Sequence, residues 1–272
     1  MSSAVRVQDL FIPNASLNMK TMKNSLQGVA SFEVGLSVLS AFERDAPNLT
    51  LSEIAQRCDI TRFAARRYVS TLINLGYIET DGRRFWLTHR ILRMGSVYLS
   101  ASPLVVAIQP LLYQLTASVG DSSYLSVRDG ADSIVVAKAT GIRVTNRSHS
   151  IGAHFPLFLT SAGLCIASSL PTRELQELLA HYKPRTYTQH TLIEHAKIRA
   201  QVELARRRSF AVSERQLDDM VRGVAVPIHD GQGLLVGAIS MNMFIGKASE
   251  AASVERVLPA LLKTAEAANK IL

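Results

Sequence analysis

The chain has 272 residues, of which 47% are hydrophobic, so it is neither disordered nor low in complexity, and its length suits two modest folded units. It carries 30 lysines and arginines against 22 aspartates and glutamates, a net charge of +8 that favours a polyanionic partner. Its two cysteines, Cys58 and Cys165, form no CxxC pair, which excludes a disulfide framework and predicts a reducing, cytoplasmic setting.

Residues 1–24 mix asparagines, serines and methionines without a period and read as an N-terminal arm. They hold no apolar run followed by a small-residue cleavage site, so no secretory signal is expected. A helix over 27–43 follows, bringing Phe32, Leu36, Leu39, Ala41 and Phe42 to a three-helix core. Thr50-Leu51-Ser52-Glu53 is the pattern of a helix start in which the Thr50 hydroxyl and the Glu53 carboxylate cap each other's backbone amides. That short helix ends at Cys58-Asp59-Ile60, and a second begins near Thr61.

Along the second helix, at about 100° per residue, the side chains sort into two arcs. Ala64, Ala65, Tyr68, Val69, Leu72 and Leu75 form a packing arc. Arg62, Phe63, Arg66, Arg67, Ser70 and Asn74 form an outward one, with Ile73 as the stray aliphatic. Gly76 stops the helix, residues 77–80 and 85–87 pair around Asp81-Gly82, and Arg83 and Arg84 sit at the tip. Residues 57–93 contain eight arginines against Asp59, Glu79 and Asp81. The order of helix, tight turn, arginine-bearing helix and basic hairpin is that of a winged helix-turn-helix, whose second helix enters the major groove. Guanidinium groups both contact phosphate and match the guanine edge. Thr61, Arg62, Phe63, Arg66, Arg67, Ser70, Arg83 and Arg84 are therefore the expected contacts with double-stranded operator DNA, Arg62 and Arg66 nearest the bases.

Thr88 caps a linker helix over 88–101 that carries Ile91, Leu92, Met94, Val97, Tyr98 and Leu99. Its apolar face is expected to pack against another subunit or the next domain. The boundaries are thus an arm at 1–24, a DNA-binding domain at 25–87, the linker, and a second domain at 102–272. This domain opens with a helix over 104–119, bent near Pro110. Two hairpins follow, 122–128 with 133–138 and 221–229 with 234–243, and helices fall at 161–169, 172–180, 194–208 and 250–271. Helices that interrupt an antiparallel sheet make an α+β sensor-like domain of the GAF or PAS kind. The uncharged stretch 155–172 includes Pro156, Gly163, Pro171 and several hydroxyl residues, which suits a buried loop and helix and gives no membrane partner.

The chain resembles an IclR-type transcriptional regulator over nearly its whole length, nearest the subgroup that controls aromatic-acid catabolism through protocatechuate or 4-hydroxybenzoate. The residues that carry the likeness are Gly35-Leu36-Ser37-Val38-Leu39, the stretch 51–75, Leu75-Gly76-Tyr77, Thr80-Asp81-Gly82, Phe85-Trp86-Leu87-Thr88 and Tyr98-Leu99-Ser100. In the second domain they are Gly152, Pro156, Thr160-Ser161-Ala162-Gly163 and Val224-Ala225-Val226-Pro227-Ile228. The resemblance implies a homodimer or homotetramer whose second domain binds a small carboxylate, an aromatic acid, at Phe155, Ser161, Ala162, Ser213, Gly223, Ser240 and Asn242. The amides of Ser161 and Ala162 at a helix start suit a carboxylate. Ser240 and Asn242 share a strand face, and Phe155 suits an aromatic ring. Three departures fall at the pocket: Asp218-Asp219-Met220 replaces the usual Glu-x-Gly element, Ser213 an acidic residue, and Leu164 a lysine.

Other constellations are weak. His149 with His154 and His190 with His195 are each five apart, without zinc spacing, so no metal and no cofactor is expected. Ser161-Ala162-Gly163 lacks the flanking pattern of a hydrolase nucleophile, so no catalytic residue is assigned and the chain is not read as an enzyme. Arg143, Arg147 and His149 are secondary candidates for meeting an anionic effector, and Arg206-Arg207-Arg208 reads as a solvated helix end. Beside the aromatic-acid reading stand a regulator that senses a non-aromatic carboxylate and one whose second domain only dimerises.

Overall fold

The computed structural model describes residues 28–43, 45–143 and 149–272. The expected N-terminal arm and Arg147 lie outside the described residues. The chain divides into two compact units between Ser100 and Ala101.

The first unit runs α1 (Ala30–Ser40), β1 (Leu49–Thr50), α2 (Leu51–Arg57), α3 (Arg62–Asn74), β2 (Ile78–Thr80), β3 (Arg84–Leu87), a 3-10 turn (His89–Ile91) and α4 (Leu92–Ala101). The cap of α2 forms as its sequence requires: Thr50 Oγ1 accepts from Glu53 N, and Glu53 Oε2 accepts from Thr50 N at 2.6 Å. Asp59 then takes a left-handed conformation, φ 52°, which turns the chain sharply into α3. The core joins Val38, Ile54, Ala65, Val69, Leu72 and Ile78. Each large aliphatic buried there contributes about 1.5–3 kcal/mol of transfer free energy.

Three details differ from the sequence reading. Phe32 and Leu36 do not join the core. With Val29 they form an exposed stripe, Phe32 being 66% exposed, because α1 is apolar on both sides and buries the face with Val38 instead. Leu75 is exposed while Ile73 packs against the core, since the helix ends at Asn74 and the periodicity ends with it. The wing has a third strand: β1 pairs with β3, Leu49 opposite Phe85, giving the order β1-β3-β2. Thr88, buried, donates to Gly76 O at 2.6 Å and accepts from Arg90 N, which fixes the exit from the wing. In α4, Leu92, Met94, Val97 and Tyr98 are exposed.

The second unit contains α5 (Pro103–Val119), β4 (Ser122–Asp129), β5 (Asp132–Ala139), β6 (His154–Pro156), α6 (Ser161–Ser168), α7 (Thr172–His181), α8 (His195–Arg208), β7 (Ala211–Glu214), β8 (Val221–His229), β9 (Leu235–Phe244) and α9 (Glu250–Ile271). Its six strands form one antiparallel sheet in the order β6-β5-β4-β9-β8-β7. The two edge strands β6 and β7 are additions to the sequence reading. Alternation sorts the central strands: Leu125, Val224, Val226, Ile239 and Met241 pack with α5 and α9 on one face. Ala225 and Ala238 face α6, α7 and α8 on the other. Their small side chains admit α6 close to the sheet, where Cys165 Sγ donates to Ala225 O at 3.1 Å.

Candidate DNA-reading helix and effector site

Helix α3 is held by its buried side and presents the other. Thr61 caps it, its hydroxyl accepting from Ala64 N at 3.2 Å while its own proton stays available to a further acceptor. Arg62, Phe63, Arg66, Arg67 and Ser70 are all exposed, Phe63 at 74%. They project from successive turns of a helix about 20 Å long. Among the described residues, the side chains of Arg62, Arg66, Arg67 and Arg83 make no hydrogen bond or ion pair.

Of the other four arginines of this segment, Arg93 on α4 has its side chain exposed without a partner among the described residues, and three are used within the head. Arg57 donates to Ala41 O and pairs with Glu43, Arg90 donates to Leu75 O, and Arg84 donates to Asn48 O at 3.1 Å. These three hold the head together, so Arg84 braces the wing to the start of β1 while Arg83 projects alone. The wing tip is shaped by Asp81, which accepts from the amides of both Arg83 and Arg84. The free guanidinium groups therefore concentrate on the first three turns of α3 and at the wing tip, where phosphate and base edges would lie.

In the second unit, two rungs of the sheet build a polar floor. One runs Ser213, Gly223, Asn242, Ser122 across β7, β8, β9 and β4; the next runs Ala211, Ala225, Ser240, Tyr124, Lys138 across to β5. Two residues apart along each strand, they share a face. A Cβ on Gly223 would lie 2.6 Å from Ser161 Oγ, 2.9 Å from Asn242 Oδ1 and 3.2 Å from Ser213 Oγ, so three polar tips from three elements converge on that glycine. None of the side chains of Ser161, Ser213, Ser240 and Asn242 makes a hydrogen bond among the described residues. Above them α6 begins. Thr160 Oγ1 accepts from Gly163 N at 2.9 Å and Thr160 O from Leu164 N, while the amides of Ser161 and Ala162 have no acceptor among the described residues. A helix N-terminus with two unspent amides over unspent hydroxyl and amide groups suits an anion.

Phe155, expected for the ring of an effector, has two residues beside it. The His149 ring stacks between Phe155, 4.2 Å away centroid to centroid, and Tyr124, 5.4 Å away. Lys138, directly across from Tyr124, donates to His149 O. The sequence reading missed Tyr124 and Lys138. The signal lay in the alternation Ser122, Tyr124, Ser126, a polar row opposite Leu125 and Val127 on the other face of the strand.

Other sequence candidates fall elsewhere. Arg143 is taken up by Asp121, 3.6 Å away, and by Val119 O, beside Arg256 of α9. Met220, in place of the usual glycine, points outward, its amide bonded to Asp218 Oδ1. Arg206 is not merely solvated: it donates to Ser168 O and Leu170 O and so ties α8 to the end of α6. A cavity of about 140 Å³ at the β7 edge, lined by residues including Leu204, Arg208, Phe210 and Glu250, contains none of the expected effector residues. Convergent unspent polar groups favour the Gly223 site over that hollow. Among the described residues no group of three or more His, Cys, Asp or Glu could hold a metal ion, and no single helix is long and apolar enough to cross a membrane.

The IclR helix-turn-helix domain matches residues 31–82, and the bacterial transcriptional regulator IclR C-terminal domain matches residues 96–270. The chain belongs to the IclR family. It is a transcriptional regulator, and its relatives are regulators rather than enzymes. This IclR member is 31% identical to the p-hydroxybenzoate hydroxylase transcriptional activator of Acinetobacter baylyi over 95% of this chain and 96% of that protein. It is 30% identical to the Pca regulon regulatory protein of Pseudomonas putida, over 86% of this chain and 81% of the other. Among solved structures it is similar to an IclR homolog of Microbacterium hydrocarbonoxydans complexed with 4-hydroxybenzoate, with a TM-score of 0.68, 20% identity and coverage of 89% and 100%. The winged helix-turn-helix and the α+β second domain are thus the family's fold.

Proposed function

We propose that this IclR regulator controls genes of aromatic-compound catabolism in the cytoplasm, as a homodimer or homotetramer that binds operator DNA through α3 and the wing and responds to a small aromatic carboxylate. The observation that carries the effector half is the convergence of Ser161, Ser213 and Asn242 on Gly223 beneath the open amides of α6. The carboxylate sits at Ser161, Ala162, Ser213, Gly223, Ser240 and Asn242, and the ring lies against Phe155 and His149. The relatives named for p-hydroxybenzoate and Pca regulation support an aromatic effector, and the unpaired arginines of α3 support direct reading of the duplex. Thr61, Arg62, Phe63, Arg66, Arg67 and Ser70 line that contact, with Arg83 on phosphate and Arg84 bracing the wing beside it. Response to the ligand requires unequal affinity for two arrangements of the reading heads, since equal affinity shifts nothing.

The test is a calorimetric screen of benzoate-type and aliphatic carboxylates against the wild-type chain and the double variant Ser240→Ala/Asn242→Ala. Benzoate-type acids should bind the wild type, and the double variant should lose that binding while keeping its affinity for DNA. An unchanged ligand titration in the double variant would reject the site.

A further inference from the structure

Tyr124 stands in the middle of the sheet, on β4, and is 2% exposed, yet its hydroxyl has no hydrogen-bond partner. Buried hydroxyl groups are almost always bonded, and leaving one bare costs stability, so an orphan of this kind needs a cause. Its surroundings supply one. Tyr124 lies directly opposite Ser240 on β9 and Lys138 on β5, so its side chain rises from the same face as the polar floor. Its ring meets His149, which stacks on Phe155. It therefore joins the floor of the site to its aromatic side, at the end away from Gly223.

Two strands and two residues separate Gly223 from Tyr124, on the order of 12 Å by sheet spacings. That is the spacing of the two backbone positions, and a benzene ring with a carboxylate at one end and a hydroxyl at the other is short enough to fit between groups that rise from them. We infer that the Tyr124 hydroxyl is the specificity-determining group of this site: it bonds a ring hydroxyl of the effector, so that the chain distinguishes hydroxybenzoates from benzoate. The inference rests on the aromatic-carboxylate reading above and adds the group that reads the ring's second polar substituent. Because the hydroxyl is already bare without ligand, a hydroxybenzoate gains a bond there and benzoate gains none, whereas an apolar wall would not favour the hydroxyl-bearing acid.

The experiment compares the full-length wild type with Tyr124→Phe, which removes one oxygen and keeps the ring. Calorimetry with benzoate, 3-hydroxybenzoate and 4-hydroxybenzoate is paired with thermal melting of the ligand-free proteins. The wild type should bind one of the hydroxybenzoates at least about ten-fold more tightly than benzoate. In Tyr124→Phe that preference should vanish through weaker hydroxybenzoate binding, with benzoate affinity unchanged and the ligand-free melting temperature equal or higher. A preference that survives in Tyr124→Phe, or a ligand-free variant that melts several degrees lower, overturns the inference, the latter because the hydroxyl would then have a partner within the fold. Should the wild type bind none of the three acids, the aromatic reading of the site falls and the inference falls with it. Binding with equal affinity for all three leaves that reading standing and overturns the inference alone.

Discussion

Gly223 on β8 and Asn242 on β9 stand directly opposite each other, and Asn242 Oδ1 lies 2.9 Å from where a Cβ on residue 223 would be. The close approach of Ser161, Ser213 and Asn242 thus depends on one position having no side chain. Gly223→Ala puts a methyl group among three polar tips, of which Ser161 Oγ is only 2.6 Å away. The tips can swing aside, so the cost to folding should stay within about 1–3 kcal/mol, the usual range for overpacking. A carboxylate held by those tips should be displaced by the change. Calorimetry of the variant should show no binding of benzoate-type acids in a protein that still melts cooperatively, and retained affinity would mean that the ligand sits elsewhere.

The first unit should weaken in acid through two carboxylates. Glu53 is held below its ordinary value of 4.5 by the hydrogen bond from the Thr50 amide and then by the Thr50 hydroxyl. Asp81 is held below 3.8 by the amides of Arg84 and Arg83. A folded value lower than the unfolded one contributes stability that is complete above the unfolded value and is lost as pH falls through the folded one. The loss therefore begins below pH 4.5 and deepens below 3.8. Thermal melts between pH 6 and 3 should show the acid limb flattened in Glu53→Gln and in Asp81→Asn, at the expense of lower stability at neutral pH. An acid limb identical to wild type would mean that neither cap contributes.

The two cysteines should react very differently. Cys165 is fully buried against Ala225 O, and burial pushes its thiol far above the ordinary range, so both access and the thiolate are withheld. Cys58, at the end of α2, is half-buried. Native protein mixed with a disulfide reagent at pH 8 should release one equivalent of thiolate readily and the second only on unfolding. Two fast equivalents would show that α6 does not stay on the sheet.

Much of this architecture was readable from local chemistry. The strings at Thr50, Thr61, Gly76 and Asp81-Gly82 each specify a cap, a stop or a turn that depends only on neighbouring residues, and the structure forms all of them. Long helices and hairpins with clear alternation were equally legible, α9 and β8 among them. What escaped depends on partners far away in the chain. β1, β6 and β7 are two to four residues long, too short to show a period, and exist because a neighbouring strand needs pairing. Phe32 and Leu36 misled because a helix apolar on both sides does not reveal which side it buries. Tyr124 escaped because its place beside the polar floor follows from its register with Ser240, a relation between residues 116 positions apart. The resemblance to relatives named Ser161, Gly223 and Asn242, whose positions converge, whereas Tyr124 and Lys138 come beside them only with the register of the sheet.

The central claim is that α3 reads DNA with its unpaired arginines. A duplex selected by the full-length protein from a random pool, together with an unselected duplex of equal length, tests it by titration with wild type, Arg62→Ala and Arg66→Ala. If α3 reads bases, at least one variant should lose about 1–3 kcal/mol on the selected duplex, with specificity relaxed at one base position and little change on the unselected one. Equal losses on both duplexes would reduce these arginines to phosphate contacts, and unchanged affinity in both variants would contradict the reading of α3 as the recognition helix.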